Sequence, residues 1–154
     1  MDERTGVSDL VMDPSNPEVL YAATWQRHRT VAAYLGGGPG TGLHRSTDGG
    51  ESWEHMGLRN SEHISRIIID PDNSNRVYVA AYGPLWSEGD DRGIYKSEDG
   101  GATWSRVLYV SEHTGFSDLR DVPVRVLGHH DPVIQYRSVQ ALAPCYSSCS
   151  IQNG

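Results

Sequence analysis

The chain of 154 residues is long enough for one domain with its own core, and its net charge of −7 argues against a surface for nucleic acid or anionic membranes. Gly, Tyr and Trp are frequent and there is no run of about 18 apolar residues, which is typical of a turn-rich β protein without a membrane span. The acidic, polar N-terminus contains no signal-peptide pattern, and the chain has only two cysteines.

Four short β-strands are predicted in the first third of the chain, each bounded by Gly, Pro, Asn or Asp. They cover Val7–Met12, Val19–Trp25, Gly42–Ser46 and Ser52–Met56. A second set of four follows at Ile64–Ile69, Arg76–Tyr82, Gly93–Ser97 and Thr103–Val110. No helical period of 3.6 residues is sustained anywhere in the chain.

The two sets of strands belong to one internal repeat. The phrase "DPSNPEVLYAA" (Asp13–Ala23) recurs 57 positions later as "DPDNSNRVYVA" (Asp70–Ala80), and "HRSTDGGESW" recurs 51 positions later as "YKSEDGGATW". A third register, "TGVSDL" at Thr5–Leu10, returns as "TGFSDL" at Thr114–Leu119. Self-similarity at this period, with four antiparallel strands in each unit, predicts blades of a β-propeller.

The phrase Ser-x-Asp-Gly-Gly-x-Ser/Thr-Trp suits a tight hairpin between the third and fourth strands of each unit. Its aspartate accepts backbone N–H groups, its second glycine takes a positive φ, its hydroxyls bond further amides, and its tryptophan anchors the outer strand. A structural role is therefore predicted for Ser46, Asp48, Gly50, Ser52, Trp53, Ser97, Asp99, Gly101, Thr103 and Trp104.

Both phrases resemble the Asp-box, or BNR, motif of sialidases, xyloglucanase-type glycoside hydrolases and the sortilin family. The resemblance covers roughly Thr5 to Leu119 and implies an all-β, partial β-propeller in a secreted or extracytoplasmic protein. Two complete four-stranded antiparallel blades are expected at about 5–56 and 62–110, with the first strand of a third at 114–119. Since enzymes and receptors share this motif, two functions stay open. We favour a non-catalytic scaffold for a peptide or glycan. The alternative is a propeller glycoside hydrolase whose catalytic carboxylates lie mostly elsewhere.

Two blades leave open edges and cannot close a ring. The chain is therefore expected to be a piece of a longer propeller, or to associate with itself through these edges. The repeat stops at Arg120, and residues 120–154 are predicted to be a non-repeat tail. It is either encoded in a shifted frame or a divergent terminal strand followed by a disordered segment. A His-His-Asp run and two cysteines in this tail lack the spacing of a zinc site, so no metal or cofactor is predicted.

Strand parity places the longer loops on the face opposite the Asp-Gly-Gly turns, and loops on a rigid β scaffold are where ligands usually bind. Aromatic and cationic groups in one loop and carboxylates in another suit a sugar or anionic ligand, although a solvated loop is the simpler explanation of each set. These candidates are Trp25, Arg27, His28, Arg29, Trp86, Asp90 and Asp91.

Glycoside hydrolysis needs two carboxyl groups about 5–9 Å apart. The sequence assigns no catalytic centre, and the best carboxylate candidates are Asp9 and Asp118, because first strands line the central channel of a propeller. A structural hydrogen bond near the start of each strand is the alternative role for both.

Overall fold

The computed structural model describes residues 3–89, 91–122 and 133–140 of the chain. In chain order its strands are β1 (Thr5–Asp13), β2 (Asn16–Gln26), β3 (His28–Arg29), β4 (Tyr34–Leu35), β5 (Gly42–Ser46), β6 (Glu54–His55), β7 (Ile64–Asp70), β8 (Asn73–Ala81), β9 (Gly93–Ser97), β10 (Ser105–Leu108), β11 (Thr114–Val122) and β12 (Val133–Gln140). One turn of 3-10 helix spans Arg59–Ser61. Within these ranges no helix has the length and apolar character that crossing a membrane requires.

The fold is all-β, with two four-stranded antiparallel sheets followed by a two-stranded ladder. The first sheet has the strand order β1-β2-β5-β6, and the second has the order β7-β8-β9-β10. The short strands β3 and β4 pair with each other inside the loop that separates β2 from β5. The two sheets are therefore the four-stranded blades that the repeat predicts.

Turn chemistry decides where the strands end. β5 and β9 occupy the residues predicted for the third strand of each unit. The fourth strands are shorter than predicted, since β6 has two residues and β10 begins at position 105 rather than 103. The reason is that the amides of Ser52 and Thr103 donate to Asp48 and Asp99 inside the turns, at 2.9 and 2.8 Å, and so do not join the sheet.

The main hydrophobic core lies between the two sheets. Its buried members are Val19, Tyr21, Ala23 and Leu43 from the first sheet and Ile64, Ile67, Ile69, Val77 and Val79 from the second. The hydroxyl of Tyr21 also crosses the interface and donates to the carbonyl of Gly100 at 2.9 Å. The sheets therefore pack face to face, as neighbouring blades do.

The same packing recurs between the second sheet and β11. Tyr78, Ala80 and Ile94 are buried against Phe116 and Leu119. Tyr78 and Ala80 stand 57 positions after two members of the main core, in the corresponding strand. We call β1 and β7, the first strands of the two sheets, inner strands. β11 therefore occupies the place of a third inner strand.

The outward face of β1 is apolar and exposed. Its residues stand 57 positions before members of β7 that are buried in the main core. The exposed residues are Val7, Leu10 and Met12, and their buried counterparts are Ile64, Ile67 and Ile69. β1 thus leaves in solvent the face that β7 buries.

A β-strand lies within the predicted non-repeat tail. β11 continues to Val122, and β12 pairs with it antiparallel from Val133 to Gln140. The segment VIQYRSVQ is rich in β-branched and aromatic residues, a local preference that does not depend on the repeat phrase. Residues 123–132 and 141–154, with the His-His-Asp run and both cysteines, lie outside the described residues.

Candidate functional site

The two Asp-Gly-Gly turns (residues 46–53 and 97–104) share one hydrogen-bond pattern. Asp48 accepts the Ser46 hydroxyl at 2.7 Å and the amide and hydroxyl of Ser52 at 2.9 and 2.5 Å. Asp99 accepts the amide and hydroxyl of Thr103 at 2.8 and 2.6 Å. These bonds, led by that from the Thr103 hydroxyl, lower the pKa of Asp99 to about 2, and the Ser52 bonds likewise lower the pKa of Asp48. Both carboxylates are therefore occupied within their own turns.

The first serine of each turn fixes the second glycine. Ser46 accepts the amide of Gly50, and Ser97 accepts the amide of Gly101, both at 2.8 Å. The two glycines have φ angles of 98° and 92°, which residues with a side chain rarely adopt. The phrase therefore has a complete structural explanation in each copy.

The tryptophans of the two turns have different partners. The indole N–H of Trp53 donates to the Gly50 carbonyl of its own turn at 3.0 Å. The indole N–H of Trp104 donates to the Met56 carbonyl of the first unit at 2.7 Å. Trp104 therefore links the two sheets, whereas Trp53 closes its own turn.

A β-bulge interrupts each of the three inner strands at a serine. The bulges lie at Ser8 in β1, Ser65 in β7 and Ser117 in β11. The Ser8 hydroxyl lies 2.7 Å from the carbonyl oxygen of Ile64, and the Ser65 hydroxyl lies 2.6 Å from that of Phe116. Each of these two serines links its inner strand to the next one by a hydrogen bond. The residues that follow the three serines therefore lie side by side across the three strands.

Asp9, Arg66 and Asp118 follow the three serines and form a row across the inner strands. Arg66 Nη1 lies 3.6 Å from Asp9 Oδ1, and Arg66 Nε lies 3.3 Å from Asp118 Oδ1. Asp9 also accepts the amide of Ile67 at 2.7 Å, and Arg120 Nε lies 3.1 Å from Asp118 Oδ2. We refer to Asp9, Arg66, Asp118 and Arg120 as the inner-strand charge row.

The row is accessible to a ligand, but its charges are paired. The side chains of Asp9 and Asp118 are 13% and 24% exposed, and that of Arg66 is 46% exposed. Burial alone would raise the pKa of Asp118, but hydrogen bonds from Arg120 and the Leu119 amide, together with the charge of Arg66, hold that pKa below its usual value. Asp118 is therefore ionised at neutral pH. It can accept a proton or a hydrogen bond, but it is not the protonated acid that glycoside hydrolysis also requires.

Arg66 and Arg120 are the two members of the row that the sequence prediction misses, and Arg66 is the one that the repeat relates to Asp9. The 57-residue offset of the repeat relates it to Asp9, just as the 109-residue offset relates Asp118 to Asp9. The recognised phrase begins at Asp13, and extending the same register four residues upstream identifies Arg66 from the sequence. The structure thus brings the two predicted carboxylates to either side of one arginine.

The first predicted ligand-binding loop is partly buried. The Trp25 ring packs against the His63 ring with centroids 5.2 Å apart and planes tilted by 50°. Arg27 is exposed, and His28 and Arg29 form β3, which makes a small hairpin with β4. Trp25, near the end of β2, therefore contacts the residue that precedes the second sheet. The cationic residues follow Trp25 in the chain and do not take part in this contact.

The second predicted ligand-binding loop, between β8 and β9, is held by a buried arginine. The Arg92 guanidinium donates to three carbonyl groups of this segment at distances from 2.5 to 2.9 Å. Trp86 is 64% exposed, and Asp91 lines a cavity next to the first unit. Asp90 lies outside the described residues.

Glu88 of this loop approaches Glu112 and His113, which lie in the segment between β10 and β11. Donor atoms of Glu88, Glu112 and His113 lie within 4.8 Å of one another, and none of these residues is buried. His113 Nε2 lies 3.8 Å from a carboxylate oxygen of Glu88 and 3.6 Å from one of Glu112, and such groups of exposed acidic residues are common without a metal ion. The group therefore receives no metal assignment.

Stability is expected to rise with pH because of His63. Its burial lowers its pKa and the charge of Arg92 lowers it further, although the bond from its Nδ1 to the Gly83 carbonyl acts in the opposite direction. Burial and the nearby His55 also lower the pKa of His44. Below a pH of about 6.5 the unfolded chain therefore binds more protons than the folded chain, so stability falls as the pH falls.

Urea unfolding between about pH 7.5 and pH 5.5 measures this effect. We expect His63→Gln to reduce the slope of the unfolding free energy against pH. Part of the slope should remain, because His44 is still present in this variant. Val31→Ala, which changes an exposed residue without an ionisable group, is the control and should leave the slope unchanged. Equal slopes for the His63 variant and the wild type would contradict the expectation.

Comparison with known proteins gives relatives of one kind. No protein-family model matches the chain. A xyloglucanase of Paenibacillus sp. is 25% identical over 118 residues, which are 68% of this chain and 10% of the relative. A xyloglucanase of Hypocrea jecorina is 30% identical over 114 residues, which are 66% and 12% of the two chains. Xyloglucanase Xgh74A of Acetivibrio thermocellus is 29% identical over 117 residues, which are 70% and 12%.

The fold also matches part of a solved structure. An ancestral GH74 enzyme has a TM-score of 0.53 and 22% identity, covering 76% of this chain and 12% of that chain. The chain thus spans about a tenth of the length of the relatives it matches. The resemblance to sortilin-type proteins stays a prediction. The chain is similar in sequence to xyloglucanases and shares its fold with part of a GH74 enzyme, so the glycoside hydrolases among the propeller proteins are its established neighbours.

Proposed function

We propose that these residues form part of a propeller glycoside hydrolase that acts on a polysaccharide of the xyloglucan kind. The similarity to three xyloglucanases, at 25% to 30% identity over about two thirds of this chain, favours this alternative over the scaffold. A polymeric substrate of this size does not enter cells, so the same proposal includes a secreted protein. The chain would supply two blades and a third inner strand to a longer enzyme.

The inner-strand charge row is the observation that carries the proposal to particular residues. Sugar hydroxyl groups both donate and accept hydrogen bonds, so a polysaccharide is best bound where acceptors and donors alternate. Asp9, Arg66 and Asp118 alternate in this way along one line, and Arg66 is about half exposed. We assign the row to substrate binding at the channel side of the blades.

Hydrolysis needs a further group that the row does not supply. The general acid of a glycoside hydrolase is a carboxyl group with a raised pKa. Asp118 is ionised, and it is held so by Arg120, the Leu119 amide and Arg66. In this proposal the row positions the chain of sugars, and the acid belongs to another part of the enzyme.

A second candidate function is glycan or peptide binding without hydrolysis, as in the scaffold that the sequence analysis favours. It is supported by the pairing of Arg66 with both carboxylates, because alternating acceptors and donors suit hydrogen bonding to a ligand without any chemical step. A reducing-end assay on the longer protein separates the two functions, because only the enzyme releases new chain ends.

Affinity electrophoresis in a gel containing soluble xyloglucan tests the binding role of the row. We expect the wild-type chain to be retarded, and Arg66→Gln and Asp118→Asn to weaken binding about tenfold or more, because each removes a charged hydrogen-bond partner. Glu51→Gln is the control, since it removes an exposed carboxylate of the first Asp-Gly-Gly turn, outside the row. Wild-type migration that xyloglucan does not change would show that the proposal is wrong.

A further inference from the structure

The cavity that Asp91 lines is away from the inner-strand charge row, between the loop after β6 and the beginning of β9. Its volume is about 300 Å³, and its lining includes Arg59, Asn60, Asp91 and Tyr95. That volume is at the lower end of the range of ligand pockets, about 300–1,000 Å³. We call this cavity the inter-blade pocket, since one wall belongs to each sheet.

The first wall of the pocket is held in one conformation. Leu58 and Glu62 flank the 3-10 turn with φ angles of 57° and 56°, in the left-handed region that such residues rarely occupy. The Ser61 hydroxyl donates to the Leu58 carbonyl at 2.6 Å, and Ser61 is buried. Trp104 fixes the start of the loop from the second sheet through the Met56 carbonyl at 2.7 Å. Strained backbone held in this way is a common property of binding sites.

The walls carry groups of complementary chemistry. Arg59 supplies N–H donors, Asp91 supplies acceptors, Asn60 supplies both, and Tyr95 supplies an aromatic ring. Neither Arg59 nor Asp91 has an ion-pair partner within residues 3–89, 91–122 and 133–140. Their charges therefore remain available to a ligand.

We propose that the inter-blade pocket is a second saccharide site, which binds a sugar unit outside the channel. A carboxylate in the wall disfavours an anionic ligand, and four polar residues disfavour an apolar one. A pyranose fits this lining, because its hydroxyls pair with the donors and acceptors while its C–H face packs on the Tyr95 ring. The inference rests on the proposed function for the class of ligand, a saccharide. The site itself is independent of that function, since the pocket shares no residue with the inner-strand charge row.

Chemical-shift titration of the isotope-labelled chain with a xyloglucan heptasaccharide tests this site. We expect the sugar to shift the amide resonances of Leu58 to Ser61 and of Tyr95. Asn60→Ala and Asp91→Asn should each weaken binding at these resonances about tenfold, the loss expected when one hydrogen bond to the sugar is removed. Arg106→Gln and Glu51→Gln, which change exposed charges elsewhere, are the matched controls and should bind as the wild type does.

Variants of the two sites separate this inference from the proposed function. The pocket is supported if Asp118→Asn leaves the shifts of residues 58–61 unchanged while the pocket variants reduce them. If xyloglucan binding depends on Asp118 and the pocket resonances do not move, the pocket inference is wrong and the proposed function stands. Equal shifts on adding glycine would overturn the saccharide assignment, because they would show a site for small zwitterions.

Discussion

Replacing Ile67 with alanine is expected to lower the free energy of unfolding by about 2–5 kcal/mol. Ile67 is 1% exposed and lies in the core between the two sheets. Its truncation leaves a cavity among Tyr21, Leu43 and Val79, which belong to both blades and cannot all move to fill it. Urea unfolding followed by tryptophan fluorescence measures the loss, since Trp104 spans the same interface.

Leu10→Ala is the matched control for this experiment. Leu10 occupies the same place in the repeat, 57 positions earlier, but it is 57% exposed because no blade covers β1 in this structure. We expect its truncation to change stability by no more than about 0.5 kcal/mol. It should also reduce any self-association, because it removes part of an exposed apolar face. An equally large loss in both variants would mean that β1 is covered in solution by a second copy of the chain.

The sequence predicts the blades well because their signals are local. The third strands are delimited by turn residues on both sides, so β5 and β9 match their predicted bounds. The period of the repeat then places Tyr21 and Tyr78 at equivalent positions before any contact is known. What the repeat does not state is which face of each strand packs against the next blade, since this depends on the docking of the sheets.

The candidate site is predicted only in part. Asp9 and Asp118 follow from the phrase that they share, but Arg66 stands in a segment where the phrase has diverged. The repeat offset relates Arg66 to Asp9, but it does not show that the two side chains are close. Their contact depends on the bulges at Ser8 and Ser65, which align the inner strands. Contacts between residues more than 50 positions apart depend on how neighbouring inner strands are aligned. This alignment cannot be read from the identity of individual residues.

Arg92 is a further residue that no sequence pattern identifies. It precedes β9 in a loop of polar composition, where an arginine is ordinarily solvated. In the structure it is 0% exposed, and burial lowers its pKa. Its guanidinium donates to the carbonyl groups of Tyr82, Pro84 and Ser87 at 2.6, 2.5 and 2.9 Å. In the loop that carries Trp86, the Arg92 side chain therefore supplies the hydrogen bonds that a strand or helix would otherwise give to these backbone carbonyl groups.

Arg92→Met is accordingly expected to lower the free energy of unfolding by about 3 kcal/mol or more, because a buried carbonyl without a donor costs about 1–3 kcal/mol. Arg92→Lys should recover only part of the loss, since one ammonium group does not reproduce the planar fork that reaches three carbonyls. Hydrogen exchange should show faster opening at residues 82–89 in both variants, with Arg106→Met as the control for removal of an exposed arginine. Wild-type stability in Arg92→Met would contradict this account, since it would mean that water satisfies the three carbonyls. The loop would then owe its shape to packing alone, and the walls of the inter-blade pocket next to it would not depend on a buried charge.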